Sequence, residues 1–297
     1  MKKNMMTRLQ LKHWRIAATA AGVVAATVAG IAATTWAQPK TTEPAGTMAA
    51  PATAAAEVRR ISPRADGVFR AACKYLADAP HFSVKVEIWE DVVLPIGQKI
   101  QTTKTLDVHE QRPNRLHIES QSPRFSRGFW YRDKTFTLLD RANNVYGVVE
   151  APDTIDATID AVEDRFGIEL PLADVLVADP YKNMMDIATT ADYLGKVKVM
   201  GVVCHHLAFT SPAMDSQLWI ADGPHPLLKK VVLNDKTKVG SPQVTAIFSD
   251  WDLVSPISGS VFEFVPPVGA AKIAVERQPA DEQGTPGATQ PAAISPR

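Results

Sequence analysis

The stretch Phe82-Ser83-Val84-Lys85-Val86-Glu87-Ile88 alternates apolar and polar side chains without a break. That period of two limits the fold more than any other feature. Successive side chains of a strand point to opposite faces, so the segment is a strand with one buried face. Further strands are expected at 99–110, 115–120, 128–132, 134–140 and 145–150. Pro95-Ile96-Gly97, Arg112-Pro113-Asn114, Asp133-Lys134 and Ala142-Asn143-Asn144 separate them and supply turn residues. A second run is expected at 194–200, 202–210, 216–221, 227–234, 244–251 and 261–265.

Helical spacing occurs in two places. Ala65, Val68, Phe69, Ala72, Cys73 and Leu76 recur at i, i+3, i+4 over 64–78, after a Ser62-Pro63 start. Ile155, Ile159, Val162 and Phe166 form a stripe over 154–166, with Asp153 as the expected N-cap and Gly167 as the C-cap. Short helices are expected at 172–177 and 181–187. Strands and helices come in blocks rather than in alternation, which argues against a parallel α/β sheet. The fold class is therefore α+β: one large curved antiparallel sheet covered by an N-terminal helix and two or three central helices.

The ends read differently. Five Lys and Arg and no acid precede an Ala-, Val- and Gly-rich stretch at 16–35, followed by Thr35-Trp36-Ala37. This is the pattern of a secretory signal peptide over 1–37, cleaved after Ala37, with an uncleaved inner-membrane anchor as the alternative. No cysteine precedes Cys73, so there is no lipid-anchoring motif. Residues 38–60 and 273–297 are low in complexity and read as a disordered linker and tail around one domain at 61–272. Cleavage removes five of 32 basic residues and none of 32 acidic ones, leaving a mildly acidic chain. Such a balance offers no broad attraction for nucleic acid.

Gly201-Val202-Val203-Cys204-His205-His206-Leu207-Ala208-Phe209 is the run richest in reactive groups. On a strand, Cys204 and His206 face one way, while His205, Leu207 and Phe209 face the other. The more apolar face is the core side, so His205 leans inward. A zinc site would need two more ligands, and His81, His109, His117 and His225 lie at no ligand spacing. A Cys–His nucleophile would need an orienting third group, and no GxSxG, SxxK or phosphate-binding loop is present. The expectation is no enzyme, no cofactor and no metal. In an exported protein Cys73 and Cys204 are either free or bridged; a bridge would close a loop of about 130 residues and add several kcal/mol. Asp153, Asp156, Asp160, Glu163 and Asp164 read as a solvated helix face rather than a cation site.

Five segments carry a family resemblance: RPNRLHIE at 112–119, WYRDKTFTLLD at 130–140, TIDATIDAVEDRFGIELPLADVL at 154–176, GVVCHHLAF with LWIADGPHPLLKKVVL within 201–233, and SDWDL with VFEFVPPVGA within 249–270. In this order they resemble an uncharacterised family of predicted periplasmic proteins within the LolA/LolB-like superfamily of outer-membrane lipoprotein carriers and receptors. The resemblance implies an incomplete β-barrel of about eleven antiparallel strands around a helical lid, with an apolar cavity between them. It also implies a periplasmic, non-enzymatic protein that binds a hydrophobic small molecule, lipid or lipoprotein; no partner protein is identified. The candidate cavity lining is Phe69, Cys73, Leu76, Phe82, Val84, Val86, Phe136, Leu138, Ile155, Ile159 and Val162. The alternative is a structural or sensory module whose core is filled by its own side chains and which acts through a protein partner.

Overall fold

The computed structural model describes residues 59–168 and 173–275. The expected signal peptide and its cleavage site lie outside them. After a two-residue strand β1 (Arg60–Ile61), helix α1 runs Pro63–Ala77. Ser62 caps it, accepting from the Ala65 amide, and Pro63 occupies the first turn, where no amide is missed. Six strands follow as a meander: β2 (His81–Val93), β3 (Lys99–Gln111), β4 (Arg115–Gln121), β5 (Ser126–Arg132), β6 (Thr135–Asp140) and β7 (Val145–Glu150). Asp133 and Lys134 both have positive φ (51° and 62°), the two-residue hairpin turn that matches strand twist.

The helical block is α2 (Ile155–Phe166), the single-turn α3 (Ala173–Leu176) and α4 (Pro180–Ile187). Thr154, not Asp153, caps α2: its side chain accepts from the Ala157 amide, and Gly167 ends the helix at φ 68°. Asp153 instead pairs with Lys134 at 2.7 Å. The chain returns to the sheet as β8 (Thr190–Val199), β9 (Val202–Thr210), β10 (Met214–Ala221), β11 (Leu228–Asp235) and β12 (Gln243–Asp252), and ends with β13 (Ala271–Ile273).

All thirteen strands form one open sheet, in the order β1-β8-β9-β10-β11-β12-β2-β3-β4-β5-β6-β7-β13. Every pairing is antiparallel except the two short outer ones, β1 with β8 and β13 with β7. Beyond the eleven expected segments that form strands, the twelfth (261–265) not being one, the sheet thus has two more, β1 and β13. Two and three residues long, these carry no alternation for a sequence reading to detect. Arg60, assigned to the linker, is held in β1 by a 2.7 Å ion pair to Asp192, and Ile273, assigned to the tail, closes β13.

Residues 261–265 are not a strand. Gly259–Phe262 is a 3-10 turn, and the segment after it crosses the outer face of the sheet. Phe264 packs there on Trp130 and Tyr146 at ring separations of 5.0 and 5.1 Å. Pro266-Pro267 follows directly, and proline has no amide for a ladder. The main core lies on the inner face. Phe82, Val84, Val86 and Ile88 of β2 meet Leu106 and Val108 of β3, Leu116 and Ile118 of β4, and Phe248 of β12, with α1, α2 and α4 packed against them.

Candidate functional site

Helix α1 turns Phe69, Cys73 and Leu76 toward the sheet, four and three residues apart on one stripe. Opposite them stand Leu218 and Ile220 of β10 and Leu228 of β11. Val175 of α3 and Pro180 of α4 close one side, and Pro226-Leu227 form the rim. With Ala72, these residues line a mainly apolar cleft of about 40 Å³. A dry cavity of about 150 Å³ accommodates a benzene-sized guest, so the cleft in this conformation is nearly closed.

Polar contacts at its margins hold α1 in place. Tyr75 Oη lies 2.6 Å from His225 Nδ1 on the β10–β11 loop. Arg70 and Asp66 bond each other, and both reach Tyr181 of α4. At the C-terminus of α1, Arg112 Nη1 donates to the carbonyls of Leu76, Ala77 and Ala79. A hollow of about 300 Å³ adjoins the cleft through the shared Cys73 and Pro180, and Arg70, Lys74, Asp179 and Tyr181 line it. Burial, and then the negative charge of Asp179, push the Cys73 thiol up to about 12. The thiol therefore stays neutral at any physiological pH and is no nucleophile. The cleft offers apolar contact and no reactive group.

Of the eleven residues expected to line a cavity, Phe69, Cys73 and Leu76 are in the cleft wall. Phe82, Val84, Val86, Phe136, Ile155, Ile159 and Val162 lie elsewhere in the main core, and Leu138 packs against it. The sheet side of the cleft was missed in the sequence. Trp219 and Ala221 of β10 are as apolar as Leu218 and Ile220, so alternation does not say which pair faces inward.

The cysteines are not bridged. Both are free and buried, and they belong to different apolar clusters. Cys73 packs in the main core on the inner side of the sheet. Leu207 and Phe209 of β9 are in that core as well, so Cys204, an odd number of residues from each, faces outward with Trp219 and Val232. The sheet separates the two thiols, and a bridge requires Cα atoms within about 7 Å. His206 stacks on Trp219 at 4.2 Å on the outer face. His205 turns inward, 3.0 Å from both Tyr193 Oη and Asp222. Among the described residues no three His, Cys, Asp or Glu side chains are grouped to hold a metal. On α2, the Asp156 carboxylate accepts the Ala178 amide at 3.1 Å.

One carboxyl–guanidinium pair is buried at the C-terminal end of α1. Glu110 on β3 is fully inaccessible and lies opposite Phe82 in the ladder. Its carboxyl is 2.8 Å from Arg112 Nε, yet burial outweighs that cation and pushes it up to about 8. Arg112 was not singled out in the sequence. No local pattern distinguishes an arginine after a strand from a solvent-exposed one.

The profile of the DUF2092 family, described as "Predicted periplasmic protein", matches residues 65–276. A search of curated proteins finds no match. Among solved structures, an uncharacterized conserved protein from Thermus thermophilus is 10% identical, with a TM-score of 0.43, 71% of this chain and 99% of that one covered. The Mycobacterium tuberculosis lipoprotein LppX is 13% identical, with a TM-score of 0.42 and coverages of 66% and 98%. A LolA superfamily protein from Nitrosomonas europaea is 9% identical, with a TM-score of 0.35 and coverages of 67% and 97%.

Proposed function

The chain belongs to the DUF2092 family of predicted periplasmic proteins, and from that premise we propose that it is exported to the periplasm and binds one hydrophobic ligand without transforming it. The ligand is an acyl chain, a lipid or a lipidated partner, and its site is the cleft between α1 and β10–β11. The observation that carries this reading is the composition of the cleft: both walls, the closing side and the rim are apolar. Pockets that take small molecules are mostly apolar, with a few polar groups at the margin to fix orientation. Here Arg70, Lys74 and Tyr181 supply that margin in the adjoining hollow.

At about 40 Å³ the cleft must widen to admit a chain. Helix α1 would be the wall that moves: its ties at His225 and from Arg70 to Tyr181 are exposed polar bonds, while the Asp66–Tyr181 and Arg112 bonds and the buried Phe69, Cys73 and Leu76 hold it closed. Opening would exchange the polar ties for bonds to water, at a net cost of about 1 kcal/mol each, and would separate apolar contacts that an entering chain replaces.

The same small volume favours a second reading, a structural module filled by its own side chains. Native mass spectrometry of the protein purified from periplasm, followed by lipid extraction, separates the two. The carrier reading expects one co-purified lipid per chain or saturable uptake of a fluorescent fatty acid, with uptake lost in Ala72→Trp, which fills the cleft. A clean apo mass with no uptake leaves the self-filled module.

A further inference from the structure

We propose that the free edge of β8 is a docking site for an extended segment of a partner protein, one that alternates acidic and apolar residues. Strand β1 covers β8 only at Thr190 and Ala191, and no other strand among the described residues pairs with that edge. Beyond the irregularity at Tyr193/Gly195, residues Gly195 to Val199 pair only with β9. Met200 (φ 47°) and Gly201 (φ 83°) make a two-residue hairpin turn, so Val199 and Val202 form the hydrogen-bonded pair that closes it. Alternation then points the N–H and C=O of Lys198 and Lys196 away from β9, where an added strand would find four unsatisfied backbone groups.

Both faces of this edge define the partner. On the outer face, Cys204, Trp219 and Val232 form a small apolar cluster with Val199 and Val202 against it. Val197, across the ladder from Cys204, is 46% exposed beside it. Apolar side chains of an added strand, in register with Val197 and Val199, would complete that cluster. On the other face, Lys196 and Lys198 ask for acids: Lys196 is paired with Asp222 at 2.6 Å, and Lys198 has no acid partner among the described residues.

Other occupants fit less well. A second copy paired edge to edge would set lysine against lysine, which is destabilising across a ladder. A bilayer would strip water from the free backbone groups at several kcal/mol each.

The test uses the isotope-labelled protein and two capped hexapeptides, (Glu-Val)3 and (Lys-Val)3, with phosphatidylglycerol vesicles as a third arm. The expected result is that (Glu-Val)3 shifts the amides of Lys196 and Lys198 and slows their exchange, binding about tenfold tighter than (Lys-Val)3. Lys198→Pro removes an edge donor without touching the β9 ladder and should abolish the effect. Lys196→Glu with Lys198→Glu keeps the backbone and should invert the peptide preference. No response from either peptide, a response indifferent to charge reversal, or vesicle binding centred on Met200 and Val203 would each overturn the proposal.

Discussion

Arg112 lies with its Nε 2.8 Å from Oε1 of Glu110, and its other end reaches the last carbonyls of α1. One side chain thus compensates a carboxyl buried in the sheet and caps the helix that forms the cleft wall. At neutral pH the raised Glu110 carboxyl keeps its proton, so removing Arg112 strands no charge; what is lost is its charge-assisted bonding to the carbonyls at the end of α1, about 1.5–3 kcal/mol. Arg112→Ala should therefore lower the unfolding free energy by about that much in urea titrations. The double variant Arg112→Leu with Glu110→Leu should recover only the part due to the buried carboxyl left without its partner, since the helix-end carbonyls lose their donor in both variants. Equal losses in both variants would mean that the bonds to the end of α1, and not the pairing with Glu110, account for the effect.

Glu110 also sets a pH dependence. Its carboxyl ordinarily titrates near 4.5 and is raised to about 8 in the folded protein, by burial first and then by Asp156, against the pull of Arg112. Between these values the folded chain keeps a proton that the unfolded chain has lost. Stability should therefore fall as pH rises from about 4.5 to about 8. His109, held below its usual range by burial, works in the opposite direction near neutrality. The clean measurement is the difference between the protein and Glu110→Gln. The gap should widen with pH across this window, and a pH-independent gap would show that the carboxyl is ionised throughout.

Both thiols are shielded, and burial raises both above the ordinary thiol range. Intact mass without reductant should equal that of two free cysteines. A thiol reagent should label neither residue quickly in the folded protein and both in guanidinium. Rapid native labelling of Cys73 alone would show that α1 swings away from the cleft on the timescale of the reagent.

The ends of α2 should respond to substitution as caps do. Thr154→Ala removes the acceptor for the Ala157 amide and should cost about 1 kcal/mol. Gly167→Ala places a side chain at φ 68°, with no heavy atom within 4 Å of it, so its cost of about 1–2 kcal/mol would be conformational alone. Thermal unfolding of the two variants checks both figures.

What the sequence determined by itself is the part of this fold that neighbouring residues encode. The alternation of Phe82, Val84, Val86 and Ile88 put one face of β2 in the core, and the i, i+4, i+7 set Phe69, Cys73, Leu76 did the same for α1. Gly167 ended α2 because only a residue free to adopt positive φ ends a helix that way. The tertiary structure decided everything that depends on which distant segments lie side by side. Leu218 and Ile220 became the cleft's second wall only because β10 lies under α1. Arg112, beside Glu110 on its own strand, met the end of α1 through the register of β2 and β3. Cys204 was lost to Cys73 because α1 packs on the face of β9 that Leu207 and Phe209 occupy. Periodicity reports which way a side chain points from its own strand, and it carries no information about what stands on the other side.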